Sequence, residues 1–285
     1  MRIIKYFAVG KGRQIIKKLY IVIINLQFKL FNYKPTNKSC VVFAPHQDDE
    51  TLGCGGTIIQ KKRQGAIVKI VFMTDGNNSH KHMFPDDLRD IRRTEAISAC
   101  NILGIDEQDI IFLDNEDGKL TVNIDSVISQ VSDILEKTLP EEIYIPYIGD
   151  HHPDHKATNR AVIGAIKRVG ITTTVFEYAT WFWDHWPIVE VKIRRKKDFI
   201  SHLRKTSIRS LFQVLRDLRC SVLVHDTLDI KRNALYQHES QLSRMNNNDK
   251  WFILGDVSNG DWLERFFQDR EVFHRHTFIG NKSSI

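Results

Sequence analysis

The feature that most constrains this chain is an alternation along residues 40–178, where short apolar, β-branched runs take turns with longer helical patterns. CVVFA at 40–44, AIVKIVFM at 66–73, the run 109–113, EIYIP at 142–146 and the run 172–178 each suit a buried strand. Residues 51–64, 85–103, 125–139 and 153–169 read as helices, stopped by Gly65, Gly104, Pro140 and Gly170. This order predicts an α/β, Rossmann-like fold with a mostly parallel sheet and helices on both faces. In such sheets ligands bind beyond the carboxyl ends of the strands.

A polar, turn-rich break at 32–39 separates an N-terminal basic and apolar extension, residues 1–38 and helix-like, from a domain at 39–285. That domain divides into a core at 40–180 and a less regular part at 187–285. The latter holds a basic run (Lys192, Arg194, Arg195, Lys196, Lys197) and a helix-like stretch at 230–242. Within 1–33, Arg2, Lys5, Lys11, Arg13, Lys17, Lys18 and Lys29 are set among aliphatics, and the uncharged run 19–28 falls far short of the ~20 residues that span a bilayer. No small-residue cleavage site follows it, which speaks against a secretory signal. Two readings are open: a helix packed on the domain, or an amphipathic segment in peripheral contact with a membrane.

Cys40, Cys54, Cys100 and Cys220 are widely spaced, which fits reduced thiols in the cytoplasm. The expected location is cytoplasmic, or peripheral to the inner face of the membrane. A net charge of +6 with dispersed basic residues and no recognition motif predicts no nucleic-acid partner.

Chemistry concentrates at two strand ends. The first strand runs into Ala44-Pro45-His46-Gln47-Asp48-Asp49-Glu50, a His and three acids that a buried sheet end tolerates only when partnered. His46 and Asp49 can converge on one ion, with Asp48 between them pointing at an open coordination position. The fourth strand runs into Gly149-Asp150-His151-His152-Pro153-Asp154-His155. Pro153 suits a first helical position, which places His152 and His155 near a helix N-terminus. Together the clusters offer a His, a carboxylate and a His, a set used by catalytic zinc with one position left for water. The same set also holds other divalent ions.

At this point the chain resembles the PIG-L/LmbE-like N-acetylglucosaminyl deacetylases. That family shares an (A/P)HPDDE motif, here PHQDDE with Gln47 in place of Pro, and a later HPDH, intact at His152–His155. MTDGN at 73–77 is similar to its TDGE segment, and Arg92-Arg93-Thr94-Glu95 to its R-x-x-E. Asp117-Gly118 is similar to a substrate-binding turn, and Lys231–Ala234 with Ser240-Gln241 to a K-x-x-A…SQ signature.

The resemblance implies that His46, Asp49 and His155 bind Zn²⁺ and that Asp48 is the general base. It implies that His152 stabilises the oxyanion or protonates the leaving amine, oriented by Asp154. The implied reaction is hydrolysis of an N-acetyl group from an N-acetylglucosamine-type sugar or glycoconjugate, releasing acetate and a free amine. Arg92 and Asp117 are candidate substrate contacts, and Trp181 and Trp183, after the fifth strand, are candidate stacking partners for a sugar face.

Each role has a rival. Asp48 can be a second carboxylate ligand, Asp154 a helix cap, Arg92 a surface charge paired with Glu95, the tryptophans a buried plug, and His151 can replace His152. Rival functions are a metal-dependent amidase on a non-sugar or thiol conjugate, and an inactive sugar-binding relative.

Overall fold

The computed structural model describes residues 2–79, 83–189, 207–245 and 248–280, with side chains from residue 14 onward. The basic run 192–197 lies outside them. The elements are α1 (Arg2–Leu30), β1 (Asn32–Tyr33), β2 (Cys40–Ala44), α2 (Asp49–Arg63), β3 (Val68–Thr74), α3 (Pro85–Ile102), β4 (Ile110–Asn115), α4 (Ile124–Thr138), β5 (Glu142–Pro146), α5 (Pro153–Val169) and β6 (Thr173–Tyr178). Helices Ile208–Asp217 and Leu228–Leu235 and strands β7 (Cys220–Leu223) and β8 (Arg270–Phe278) follow. One eight-stranded sheet has the order β1-β7-β8-β6-β5-β2-β3-β4. β4, β3, β2, β5 and β6 run parallel, and β8 is antiparallel to both β6 and β7.

Strand periodicity sorts the core into two layers. Val42, Ala44, Ile70, Phe72 and Tyr144 face one cluster with Ile58 of α2 and Cys100 of α3. Their neighbours Val41, Phe43, Val71, Ile143 and Ile145 face the other, with Val131 of α4 and Ala161 of α5. Strands buried on both faces explain the near-continuous apolar runs. All four cysteines are buried and free.

The chain steps from β2 through β3 to β4, then returns to the other side of β2 with β5. The carboxyl ends of β2 and β5 therefore diverge at the switch point, where an α/β sheet opens a crevice. Both polar clusters of the sequence lie there.

Beyond β6 the chain departs from the regular pattern. β8 and β7 extend the sheet, and β1 pairs with β7 at its far edge. The stretch 230–242 is two helices, Leu228–Leu235 and Glu239–Leu242, instead of one. The second half of α1 is joined to the domain: Tyr20, Ile24 and Phe28 are buried there, and Gln27 Nε2 donates to the carbonyls of Val214 (2.6 Å) and Leu218 (3.2 Å). Among the described residues no helix is long and apolar enough to cross a membrane.

Candidate active site

β2 ends at Ala44 and the chain turns sharply before α2. Asp48 occupies φ 141°, ψ −26°, a conformation that costs an L residue on the order of 1–3 kcal/mol and persists where surroundings enforce it. Its N–H donates to Glu50 Oε2 (3.1 Å). Arg92 Nη2, from α3, donates to the Gln47 carbonyl (2.7 Å) and stands 3.7 Å from Asp48 Oδ2. Gln47 Nε2 donates to the Thr74 carbonyl (2.8 Å), tying the turn to the end of β3 in place of the ring that a proline would supply.

Asp49 Oδ2 is the meeting point of two imidazoles. His46 Nδ1 is 3.1 Å from it and His155 Nε2 is 3.2 Å from it. The His155 nitrogen is sealed from solvent and has no hydrogen-bond partner, an arrangement that is costly without a further ligand. On its other side, His155 Nδ1 contacts Thr180 Oγ1 (2.9 Å) and Asp150 Oδ2 (3.3 Å), which fix the ring. His46, His152 and His155 each bring a ligating atom within 4.8 Å of the other two. This donor set fits a divalent cation.

Electrostatics divides the two aspartates. Burial opposes charge on both, but the adjacent His155 and His46 hold Asp49 far below the usual carboxylate range. Burial and the Asp49 charge push Asp48 up to about 7, against the pull of Arg92. His155, penalised by burial, is raised to about 9 by Asp49 and Asp150. His152 is lowered to about 4 by burial and by His46 and His155.

His152 caps α5, and its Nδ1 accepts the Asp154 N–H (3.3 Å). The Asp154 carboxylate acts on His152 through its charge and makes its direct contacts elsewhere. Its oxygens accept the N–H groups of Gly118 (2.7 Å) and Leu120 (3.4 Å), and Oδ2 lies 3.5 Å from His46 Nε2. The backbone of Asp154 orients His152, while its side chain secures the 117–120 turn. Asp117, in that turn, faces His46 Nε2 at 3.3 Å.

Arg92 is buried and Glu95 is not its partner: Glu95 accepts from the backbone N–H and hydroxyl of Ser240, both at 2.7 Å. The tryptophans part company. Trp181 lines the cleft, stacked on Trp262 (4.6 Å between centroids). Trp183, expected beside it, is buried with Nε1 donating to the Ala179 carbonyl (2.9 Å) and the Arg265 guanidinium over its ring.

The resulting cleft encloses about 230 Å³ and includes His46, Asp48, Asp117, His152 and Trp181. Gln241, Phe252, Leu254 and Trp262 also line it, none of them placed there by the sequence pattern. Ser240-Gln241 belonged to a noted signature, but Asp150 and Thr180 acquire their role only through tertiary contact with His155.

Fold and site together define an α/β protein with histidines and carboxylates that could hold a metal ion at the switch point of its sheet. Residues 41–166 match the family PIG-L, described as GlcNAc-PI de-N-acetylase. Over that stretch the chain is similar to this family. A Bacillus cereus protein named "Probable N-acetyl-alpha-D-glucosaminyl L-malate deacetylase 2" is 35% identical over 137 residues, 45% of this chain and 60% of that relative's length. A 1D-myo-inositol 2-acetamido-2-deoxy-alpha-D-glucopyranoside deacetylase of Rhodococcus opacus is 26% identical over 258 residues, 78% of this chain and 88% of the other. The N,N'-diacetylchitobiose deacetylase of Pyrococcus horikoshii shares the fold with a TM-score of 0.59 at 20% identity, over 84% of each chain.

Proposed function

We propose that this protein hydrolyses the N-acetyl group of an N-acetylglucosamine-type sugar or glycoconjugate with a zinc ion held by His46, Asp49 and His155. The observation that carries the reading is the convergence of both imidazoles on Asp49 Oδ2 beside a strained Asp48. A bound zinc would make a water acidic near neutrality and polarise the acetamide carbonyl.

The chain's own groups supply the rest. Asp48, held by Arg92, takes a proton from the attacking water and returns it to the departing nitrogen, so that acetate and a free amine leave. His152 accepts the Asp154 N–H at Nδ1, which leaves its proton on Nε2. A neutral donor there favours stabilising the oxyanion over protonating the amine. Trp181 offers its face to the sugar ring. Asp48→Ala should retain zinc and lose deacetylation of an N-acetylglucosamine conjugate. Full activity would sink the base role, and unchanged zinc in His155→Ala would sink the ligand assignment.

The substrate is approached from an anionic membrane on the cytoplasmic side. Along α1, Ile15, Leu19, Val22, Ile23 and Leu26 form an exposed apolar stripe on the face away from buried Tyr20, Ile24 and Phe28. Lys18 and Lys29 are exposed on the same helix, and the sequence adds Arg2, Lys5, Lys11 and Arg13. That pairing of apolar stripe and positive charge complements anionic lipid. The full chain should sediment with phosphatidylglycerol vesicles and not with neutral ones, and Leu19→Gln with Leu26→Gln should abolish this. Self-association that the same substitutions disrupt, without vesicle binding, would assign the stripe to a second copy and overturn the membrane reading.

A further inference from the structure

We propose a second divalent-metal site, separate from the cleft, formed by Glu177 of β6 with His274 and His276 of β8. The strands are antiparallel and in register, with Glu177 opposite His274 and Val175 opposite His276. Residues two apart on a strand share a face, so both imidazoles stand on the same side as the cross-strand carboxylate. One ligating atom from each residue lies within 4.8 Å of the other two.

The surroundings orient these groups as metal ligands are oriented. His274 Nδ1 contacts the Asp217 carbonyl (3.0 Å), which leaves Nε2 as its free donor atom. The Ile148 N–H donates to Glu177 Oε2 (2.9 Å), and Oε1 faces His276. His276 Nε2 is 3.0 Å from that oxygen, sealed from solvent, and yet has no hydrogen-bond partner. A simple strand-stapling ion pair would align this nitrogen as a donor. A cation between them satisfies both, and His₂-carboxylate with one open position suits zinc-class ions.

The site would clamp β8 to β6 and to the Tyr147–Asp150 loop through Ile148. That loop carries Asp150, which contacts the cleft ligand His155. The site is therefore stabilising, with no direct part in hydrolysis.

The test is zinc stoichiometry on the full chain after stripping, reloading and dialysis. Wild type should hold two equivalents, and His274→Gln/His276→Gln one, with circular dichroism and deacetylation retained. His276→Gln alone, at a side chain 32% exposed, repeats the reading if the double variant does not fold. His46→Ala/His155→Ala should keep the second equivalent and still gain melting temperature on zinc addition. A single equivalent in wild type, or two in the His276→Gln chain, would overturn the proposal.

Discussion

Arg92 donates to the carbonyl of Gln47 over 2.7 Å, and the next residue along is the strained Asp48, whose Oδ2 lies 3.7 Å from the same guanidinium nitrogen. A second nitrogen of Arg92 donates to the Gly76 carbonyl (3.1 Å). One planar fork thus holds the turns after β2 and β3 together and fixes the proposed base. Arg92→Lys keeps the charge and loses the fork. Its kcat should fall about 10²-fold, the scale at which small misplacements act, with zinc content unchanged. Steady-state kinetics beside metal analysis would show it, and wild-type kcat would mean that Asp48 is positioned by other contacts.

Asp150 is fully buried and touches His155 Nδ1, the hydroxyl of Thr180 and the N–H groups of Thr180 and Trp181. Outer partners of this kind contribute about 10–100-fold to metal affinity or activity. Asp150→Ala should weaken zinc binding by that factor in a competition titration against a chelator. Unaltered affinity would show that Thr180 alone orients the ring.

Trp181 and Trp183 should separate function from stability. Trp181→Ala removes the cleft's aromatic face and should raise KM with little change in melting temperature. Trp183→Ala empties a core position, and large aromatic truncations there cost about 3–5 kcal/mol. Urea unfolding and kinetics on both variants would read the contrast, which reverses if Trp183 is the sugar contact.

Much of this architecture was legible because the core strands are buried on both faces. EIYIP at 142–146 and the helix at 153–169 appear with the expected bounds, since Pro153 and Gly170 punctuate them. The strand-end clusters were legible because carboxylates and histidines at a buried sheet edge demand partners. β8 was not: REVFHRHTF has one exposed flank, and its polar members break the apolar signal. β1 and β7 are too short to show a period. Trp181 and Trp183 are two residues apart in one short helical turn, and their opposite fates depend on a local rotation that composition does not encode. That the Asp154 side chain and backbone serve different neighbours is likewise set by tertiary contacts that spacing does not reveal.

Lys231 and Glu271 form a buried pair at 2.7 Å, and the Glu271 carboxylate also accepts the N–H groups of Gly56 and Thr57, both at 2.8 Å. Removing one member of a buried pair strands the other, at about 3–5 kcal/mol. Glu271→Ala should exceed Lys231→Met, because it also orphans the two α2 donors. Lys231→Met/Glu271→Ala should cost less than the sum of the singles in urea unfolding. Additive losses would show that the two charges are not coupled.

His238, paired with Glu50 beside the proposed ligand turn, gives the protein a pH dependence of its own. It is fully buried, and its Nε2 lies 3.4 Å from Glu50 Oε1, with Asp48 and Glu95 also acting on it. Burial opposes its charge, but these three carboxylates outweigh burial and raise its pKa above the ordinary value. A group raised on folding contributes stability that is fully present below its unfolded pKa of about 6.5 and is lost as pH rises through its folded value. The stability difference between zinc-loaded wild type and His238→Gln should therefore be greatest below about pH 6.5 and shrink toward alkaline pH. Urea unfolding of both proteins across this range measures it. A difference that stays constant, or grows with pH, would mean that His238 is neutral in the folded chain and that Glu50 is held by Thr51, whose hydroxyl donates to it at 2.6 Å.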